Sequence, residues 1–295
     1  MNWEALTLAI VGGDEREREI ARLAAETGAE VRAFGFPFPD GGIDGVSAAG
    51  TAAEAMRAAR YALFPIPGIA ADGTLYAPAV TTQITPDEAL LSELAPRAHV
   101  ILGTADDRLR AAATATGVEL HEYEHDTELM LLRGPAIVEG ALAAAIEATD
   151  VTLHASDVGV VGQGNVGALL ARTLVALGAL VHVFARNPVQ RAAAYAAGAT
   201  PHTLDELPEG AAELALLFST VPAPVVPRSV LERMGRNAVV IDLAAPPGGI
   251  DLGAARELGL TAVWARGLGK RAPVTVGASQ WSGIRKIIEA IEEER

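Results

Sequence analysis

Cysteine is absent from the 295 residues, so disulfides, thiolate metal ligands and a cysteine nucleophile are excluded at the outset. Aromatic residues make up only 4% of the chain, and its core must therefore be assembled from Ala, Val, Leu and Ile. Basic residues are in deficit as well: 23 Lys and Arg stand against 37 Asp and Glu, for a formal charge of −14. With no basic run anywhere, neither nucleic acid nor an anionic membrane surface suits this chain as a partner. No run of about 18 uncharged apolar residues suggests a membrane span, and the chain opens on a strand-like Leu6–Val11 instead of a basic leader. These absences lead us to expect a cytoplasmic protein.

What is present is a 50% hydrophobic, 20% charged sequence with 30 Gly and 17 Pro, long enough for two α/β domains. Short apolar runs alternate with amphipathic segments. Strands are expected at Thr7–Val11, Glu30–Phe34, Tyr61–Phe64, His99–Leu102 and Glu119–Leu120, separated by helices at Glu15–Thr27, Thr51–Ala58, Asp87–Leu94 and Asp106–Thr116. An Ala-rich helix, Ile137–Thr149, follows Gly134–Pro135 and serves as the connection. The alternation then repeats: strands Val158–Val161, Leu180–Phe184, Leu214–Ser219, Ala238–Leu243 and Leu260–Trp264, with helices between them. Strands alternating with helices mean parallel sheets covered on both faces. The expected architecture is α/β, two doubly wound parallel-sheet domains joined by crossing helices. Residues 1–133 form a flavodoxin-like substrate domain and 134–276 a Rossmann-type dinucleotide-binding domain that includes the linker helix. A closing helix, 277–295, folds back on the first domain. Chemistry is expected in the cleft beyond the carboxyl ends of the strands.

The sharpest motif is Gly162-x-Gly164-x-x-Gly167, directly after a strand and opening a helix. Gly162 permits a tight turn, Gly164 admits a pyrophosphate to the backbone, and Gly167 lets helix and strand pack closely. The amides of Asn165, Val166 and Gly167 then face the phosphates at the helix N-terminus. The next strand ends in Ala185–Arg186–Asn187, without the acid that an NAD-selective site places against the ribose 2′-hydroxyl. Arg186, with Asn187 as a secondary donor, suits a 2′-phosphate, which favours NADP and leaves NAD as the alternative. Ser219, Thr220, Val221 and Pro222 after one strand, and Asp242, Leu243 and Ala244 after another, are expected to hold the nicotinamide ribose. Asp242 also suits an ordinary loop acceptor. Val11–Gly12–Gly13–Asp14 is too short for a second fingerprint, and Asp14 suits a helix N-cap.

Several of these segments, in order along nearly the whole chain, resemble the family of the dipicolinate synthase A subunit. They are Val11–Asp14, Pro135–Gly140, the glycine fingerprint, Ala185–Asn187, Ser219–Pro222 and the run Ile241–Gly249. The resemblance implies NAD(P)-dependent oxidation of a dihydrodipicolinate-level intermediate of the lysine pathway to pyridine-2,6-dicarboxylate. It also implies, as partner, the flavoprotein-like B subunit of dipicolinate synthase, and a place in the mother cell of a sporulating bacterium. One segment departs from the family pattern: Arg266–Arg271 and Ala272–Gly277 carry Lys270 and Arg271 where the family has Pro-Gly-Leu-Pro-Gly and then Ala-Pro-Lys-Thr-Ala-Gly.

Hydride transfer needs a base for the accompanying proton and cations for any carboxylate. Glu139 on the linker helix and His154 before the fingerprint strand are the candidate bases. Lys270 and Arg271 after Trp264, with Arg133 at the linker, are the candidate ligands of a small dicarboxylate substrate. No metal is expected: His121–Glu122–Tyr123–Glu124–His125 fits H-E-x-x-H, yet it continues a strand where that motif requires a helix. A D-2-hydroxyacid dehydrogenase is the runner-up, opposed by the lack of any His after His202. A catalytically silent NADP-binding regulatory subunit is the third reading, and homo-oligomerisation stays open.

Overall fold

The computed structural model describes residues 1–66, 68–70 and 72–294. Along the chain run β1 (Thr7–Val11), α1 (Glu15–Ala25), β2 (Glu30–Phe34), β3 (Val46–Ala48), α2 (Ala52–Met56), β4 (Tyr61–Leu63), α3 (Glu88–Leu91), β5 (His99–Leu102), α4 (Asp107–Thr116), β6 (Glu119–Glu122) and α5 (Thr127–Ala148). There follow β7 (Asp157–Val161), α6 (Asn165–Ala176), β8 (Leu180–Phe184), α7 (Pro188–Ala196), β9 (Thr200–His202), α8 (Leu207–Gly210), β10 (Leu216–Ser219), α9 (Arg228–Leu231), β11 (Val239–Asp242), α10 (Leu252–Glu257), β12 (Thr261–Trp264) and α11 (Pro273–Glu293). The chain divides into two compact units, Met1–Arg133 with Ala272–Arg295, and Gly134–Arg271. Arg295, the end of the expected closing helix, lies outside the described residues.

The first unit holds one parallel sheet in the order β3-β2-β1-β4-β5-β6. That is the Rossmann order, not the 2-1-3-4-5 order of flavodoxin, so the expectation of a flavodoxin-like first domain is corrected. The missing strand, β3, is three residues long and follows Gly45, whose φ is +75°. It is a partly exposed edge strand, Val-Ser-Ala, and lacks the apolar run that marks the equally short, fully buried β4. Leu8 and Ile10 face one way, packing against Ile20 and Ala24 of α1 and against Trp281, Ile284 and Ile288 of α11. Ala9 and Val11 face the other way, against Met56, Leu91 and Leu109. Burial on both faces is why the central strands are continuously apolar. α1 starts at Asp14, whose side chain accepts from the Arg16 amide while Glu17 reaches back to the Asp14 amide, completing a capping box. α11 begins at Pro273, before the expected start at Gly277, because a proline in the first turn loses no intrahelical bond. Its Gly277 lies so close to α1 that a Cβ there would stand 2.6 Å from the Arg16 carbonyl oxygen.

The second unit repeats the order, β12-β11-β10-β7-β8-β9, again all parallel. One face packs Val158, Val160 and Phe218 against Leu170 and Leu174 of α6 and Val138, Ala141 and Ala145 of α5. The other packs Val161, Leu217 and Val240 against Leu207, Val230 and Ala255.

α5 is 22 residues long and passes straight through Pro135, where the sequence suggests a helix start. Its beginning is set instead by Asp126, which accepts from the Leu129 amide 3.0 Å away. Gly134 and Pro135 fall where the chain leaves the first unit for the second. The length and hydropathy of α5 would suffice to cross a bilayer, but Arg133 and Glu139 interrupt it and its Val138, Ala141 and Ala145 are core residues.

Candidate functional site

In the second unit, the loops after β7, β8, β10, β11 and β12 all emerge at the carboxyl edge of one sheet, with the strand order reversing between β7 and β10. The glycine turn occupies that switch point. Gly162 has φ +98°, and a Cβ on it would meet the Thr220 hydroxyl at 2.5 Å. A Cβ on Gly167 would lie 2.2 Å from the Gly162 carbonyl oxygen. Gly164 differs from both: a Cβ there meets nothing within 4 Å. Two glycines are therefore demanded by packing and the third opens space above the turn.

Gly164 is also the N-cap of α6 and supplies no side-chain acceptor, and the first turn carries no acid. The amides of Asn165, Val166 and Gly167 thus face outward with the positive end of the helix dipole. This donor set and its open space fit a dinucleotide pyrophosphate. The structurally equivalent turn in the first unit is closed. The Gly13 amide donates to the Tyr76 carbonyl at 2.6 Å, and a Cβ on Gly13 would strike the Glu17 carboxyl at 2.2 Å. Asp14 and Glu15 place acid at that helix start and the Glu17 side chain fills its space, so a phosphate is excluded where α6 would admit it.

The remaining expected contacts separate into bracing and exposed groups. Thr220 braces the turn: its hydroxyl and amide both donate to the Val161 carbonyl, at 3.1 and 3.0 Å, and hold the base of the glycine turn. Ser219 is fully buried against Gly249, where a Cβ would stand 2.1 Å from its hydroxyl oxygen. Asp242 is fully buried too, accepting from the amides of Ala244, Gly249 and Ile250 at 3.0, 2.7 and 3.0 Å. It organises the 243–250 loop, which contains the cis Pro246–Pro247 bond, and is withdrawn as a cofactor ligand. Ala244 is buried and receives the Trp264 indole N–H on its carbonyl at 3.0 Å, while Leu243 is half-buried. Val221 is half-buried and Pro222 exposed. Asn187 caps α7 by accepting from the Val189 amide at 2.8 Å, so its oxygen is structural. Arg186 is exposed, with no polar partner for its guanidinium among the described residues.

The candidate catalytic groups also need correction. His154 precedes β7 and its Nδ1 faces the Leu177 carbonyl at 3.3 Å, beside the turn at Gly178. Five strand residues, roughly 16 Å, separate it from the carboxyl edge, so it cannot be the base. Glu139 and Arg271, expected to serve as base and carboxylate ligand, form an ion pair with each other. Arg271 and Lys270 lie on a 3-10 turn, Leu268–Arg271, beyond the carboxyl end of β12. Arg133 is buried in the first unit, where it grips Glu124 at 2.9 and 3.3 Å and lies against the Met130 sulfur, so it is withdrawn as a substrate ligand. The H-E-x-x-H spacing is not helical: His121 is in β6 and His125 follows that strand.

The sequence offered no signal for three further groups. Gln163 in the glycine turn is buried with an unpartnered Oε1. In the first unit, Glu17 is 2% exposed with Oε1 unpartnered, and Gln280 on α11 is wholly buried with neither amide atom partnered among the described residues. Burial pushes the Glu17 carboxyl up from 4.5 to about 7, against the pull of Arg16.

Comparison with known proteins accords with this geometry. Residues 7–124 match the family of the dipicolinate synthase A subunit, N-terminal domain. Residues 146–246 match the D-isomer specific 2-hydroxyacid dehydrogenase, NAD binding domain. The dipicolinate synthase A subunit of Bacillus subtilis (strain 168) is 30% identical over 296 residues, covering 98% of each chain. The chain belongs to the dipicolinate synthase A-subunit family. The crystal structure of that subunit from Bacillus halodurans superposes with a TM-score of 0.90 at 29% identity, covering 97% of this chain and 98% of that one. D-lactate dehydrogenase of Escherichia coli, at 13% identity and a TM-score of 0.61 over 96% and 97% of the two chains, shares the fold. This family member is thus an oxidoreductase-like protein with a domain for a nicotinamide dinucleotide.

Two outcomes follow from the site. Gly164→Ala should fold within about 0.5 kcal/mol of wild type yet bind nucleotide at least about tenfold more weakly, whereas Gly167→Ala should lose about 1–3 kcal/mol of stability. Calorimetric titration beside thermal unfolding separates them, and unchanged affinity in Gly164→Ala would remove the pyrophosphate from that turn. For Glu17, the folded state retains a proton between pH 4.5 and about 7 that the unfolded chain releases, so stability falls as pH rises through that window. Glu17→Gln keeps the capping box and cannot ionise. Its stability relative to wild type should be higher at pH 8 than at pH 5 by on the order of 3 kcal/mol, and a flat difference in denaturant midpoints would show that Glu17 ionises normally.

Proposed function

We propose that this chain oxidises a dihydrodipicolinate-level intermediate of the lysine pathway to pyridine-2,6-dicarboxylate, with NADP as acceptor, alongside a flavoprotein-like B subunit. The observation that carries the reading is membership of the A-subunit family over 98% of the chain, joined to a glycine turn left open at Gly164. The setting is the cytoplasm of the mother cell during endospore formation, and the substrate is a small dicarboxylate.

Two hydrogens leave the ring as it becomes aromatic, one as hydride and one as a proton. The bound nicotinamide supplies the hydride acceptor. The amides of Asn165, Val166 and Gly167 hold the pyrophosphate, and Arg186 forks onto the 2′-phosphate. Val221, Pro222 and Leu243 wall the nicotinamide end. Lys270 and Arg271 receive a substrate carboxylate, since the Arg271 fork can hold Glu139 on one edge and present further N–H groups elsewhere. Glu139, oriented by Arg271, takes the proton. Because that base and that cation neutralise each other in the isolated chain, turnover is expected to depend on the B subunit.

The test is a coupled assay in which pyruvate and aspartate semialdehyde generate the intermediate in situ. Dipicolinate should form in step with reduced cofactor, most strongly with the B subunit present. Nucleotide binding without dipicolinate in either case would leave a silent NADP-binding subunit. Arg186→Ala should weaken NADP(H) by about 1.5–3 kcal/mol while sparing NAD(H), and equal losses for both would refute the 2′-phosphate role.

A further inference from the structure

A second constellation lies in the first unit, at the amino ends of β5 and β6. His99 opens β5, and Glu119 and His121 lie on β6, with His99 in register with Glu119 and Ile101 in register with His121. Residues two apart on a strand share a face, so all three side chains project from the same side of the sheet edge. His99 is almost fully buried and stacked on Tyr61 at 5.3 Å between ring centres, which holds its ring in place. Glu119 and His121 border an open cleft of about 330 Å³, also lined by Arg60, Arg97 and Glu294.

Three ligand atoms converge here on one point. Nδ1 of His99 is 3.1 Å from Nε2 of His121 and 3.6 Å from Oε2 of Glu119, and all three lie within 4.8 Å of one another. A single ring nitrogen carries one proton or one lone pair, so it cannot satisfy both neighbours by hydrogen bonding. A cation among the three satisfies all of them. Tetrahedral zinc, bound at about 2.0–2.1 Å, needs ligand atoms roughly 3.3 Å apart, and the two separations from His99 Nδ1, 3.1 and 3.6 Å, bracket that value.

The second unit contains a control for this argument. There, Asp157 Oδ1 meets His182 Nε2 at 3.0 Å, and His182 Nδ1 meets His202 Nε2 at 3.1 Å. Each nitrogen has one partner, and the three groups form a linear hydrogen-bonded chain instead of a chelate. Similar residue types on a similar sheet edge therefore give two different geometries, and only the first converges.

The geometry points to a divalent transition-metal site, of zinc type, formed by His99, Glu119 and His121, with water completing the coordination from the cleft. Two imidazoles and one carboxylate suit zinc, cobalt or nickel better than calcium or magnesium. Of the neighbouring arginines, Arg60 is tied to Glu292 at 2.6 Å, and Glu294 offsets Arg97 in charge. The metal would clip the edge strand β6 to β5. The H-E-x-x-H spacing gives the wrong partner: His121 faces His99 on the adjacent strand, not His125.

The experiment uses the untagged full chain, stripped with a chelator and titrated with zinc in a calorimeter. Cobalt substitution is followed by visible absorption, and thermal unfolding is recorded with and without metal. Wild type should bind one equivalent, give the intense visible bands of tetrahedral cobalt and melt higher with zinc. His121→Ala and Glu119→Gln should each weaken binding at least tenfold, whereas His182→Ala should leave it unchanged. Glu119 is exposed, so Glu119→Gln keeps the test valid if the histidine variant folds poorly. Absence of saturable binding by wild type, affinity unchanged in both β6 variants, or loss on His182→Ala would each overturn the assignment.

Discussion

Everything at the carboxyl edge of the second unit depends on one helix that begins without a cap. α6 starts on glycine, with no side-chain acceptor and no acid in its first turn, and its leading amides are left for something outside the protein. Unpaired amides of that kind are costly when buried, so a sequence that leaves them must expose them or supply a ligand. The surrounding residues hold the opening in place. Thr220 ties β10 to the last carbonyl of β7, Ser219 presses against Gly249, and Asp242 gathers three loop amides. Thr220, Ser219 and Asp242 thus spend their polar groups or their bulk on the turn and its neighbouring loop, keeping the turn from collapsing onto its own space.

The two units show how little of this belongs to the fold itself. Both sheets have the same strand order, and both place a glycine turn after the first strand and a helix behind it. In the first unit the helix is capped by Asp14 and Glu17, and the Tyr76 carbonyl takes the Gly13 amide. Function is decided at a handful of positions: whether the helix start is capped, and whether a Cβ or a carboxyl fills the space above it.

Features carried by local chemistry were legible in the sequence. The fingerprint glycines, the Asp14 cap and the central apolar strands each rest on a requirement met within a few residues. β3 and β9 were not legible, since both are partly exposed edge strands, Val-Ser-Ala and Thr-Pro-His, without the apolar run that marks the equally short but fully buried β4, and without β3 the first sheet passed for a shorter, flavodoxin-like one. Residue roles failed where they depend on register or on contacts distant in sequence. His154 is close to the fingerprint in sequence and a strand length away in space. Asp242 ends a strand at the expected edge, yet its carboxylate turns into its own loop. Arg271 and Glu139, 132 residues apart, had to be seen together before either could be weighed.

A chain of net charge −14 that receives a dinucleotide phosphate must solve the problem locally. Charges more than a Debye length apart, about 8 Å at physiological salt, scarcely feel one another, so the overall excess of acid is a weak deterrent. What counts is the first turn of the helices at the binding edge. α6 and α7 both begin without an acid, while α1, α4 and α5 each carry at least one. The exposed Arg186 stands between the end of β8 and the start of α7. Attraction at the glycine turn therefore comes from backbone dipoles, at helix starts whose first turns carry no acid, and the proposed guanidinium of Arg186 would add to it. An acid introduced in the first turn of α6 would act within that screening distance, which makes the missing carboxylates there as much a part of the site as the glycines.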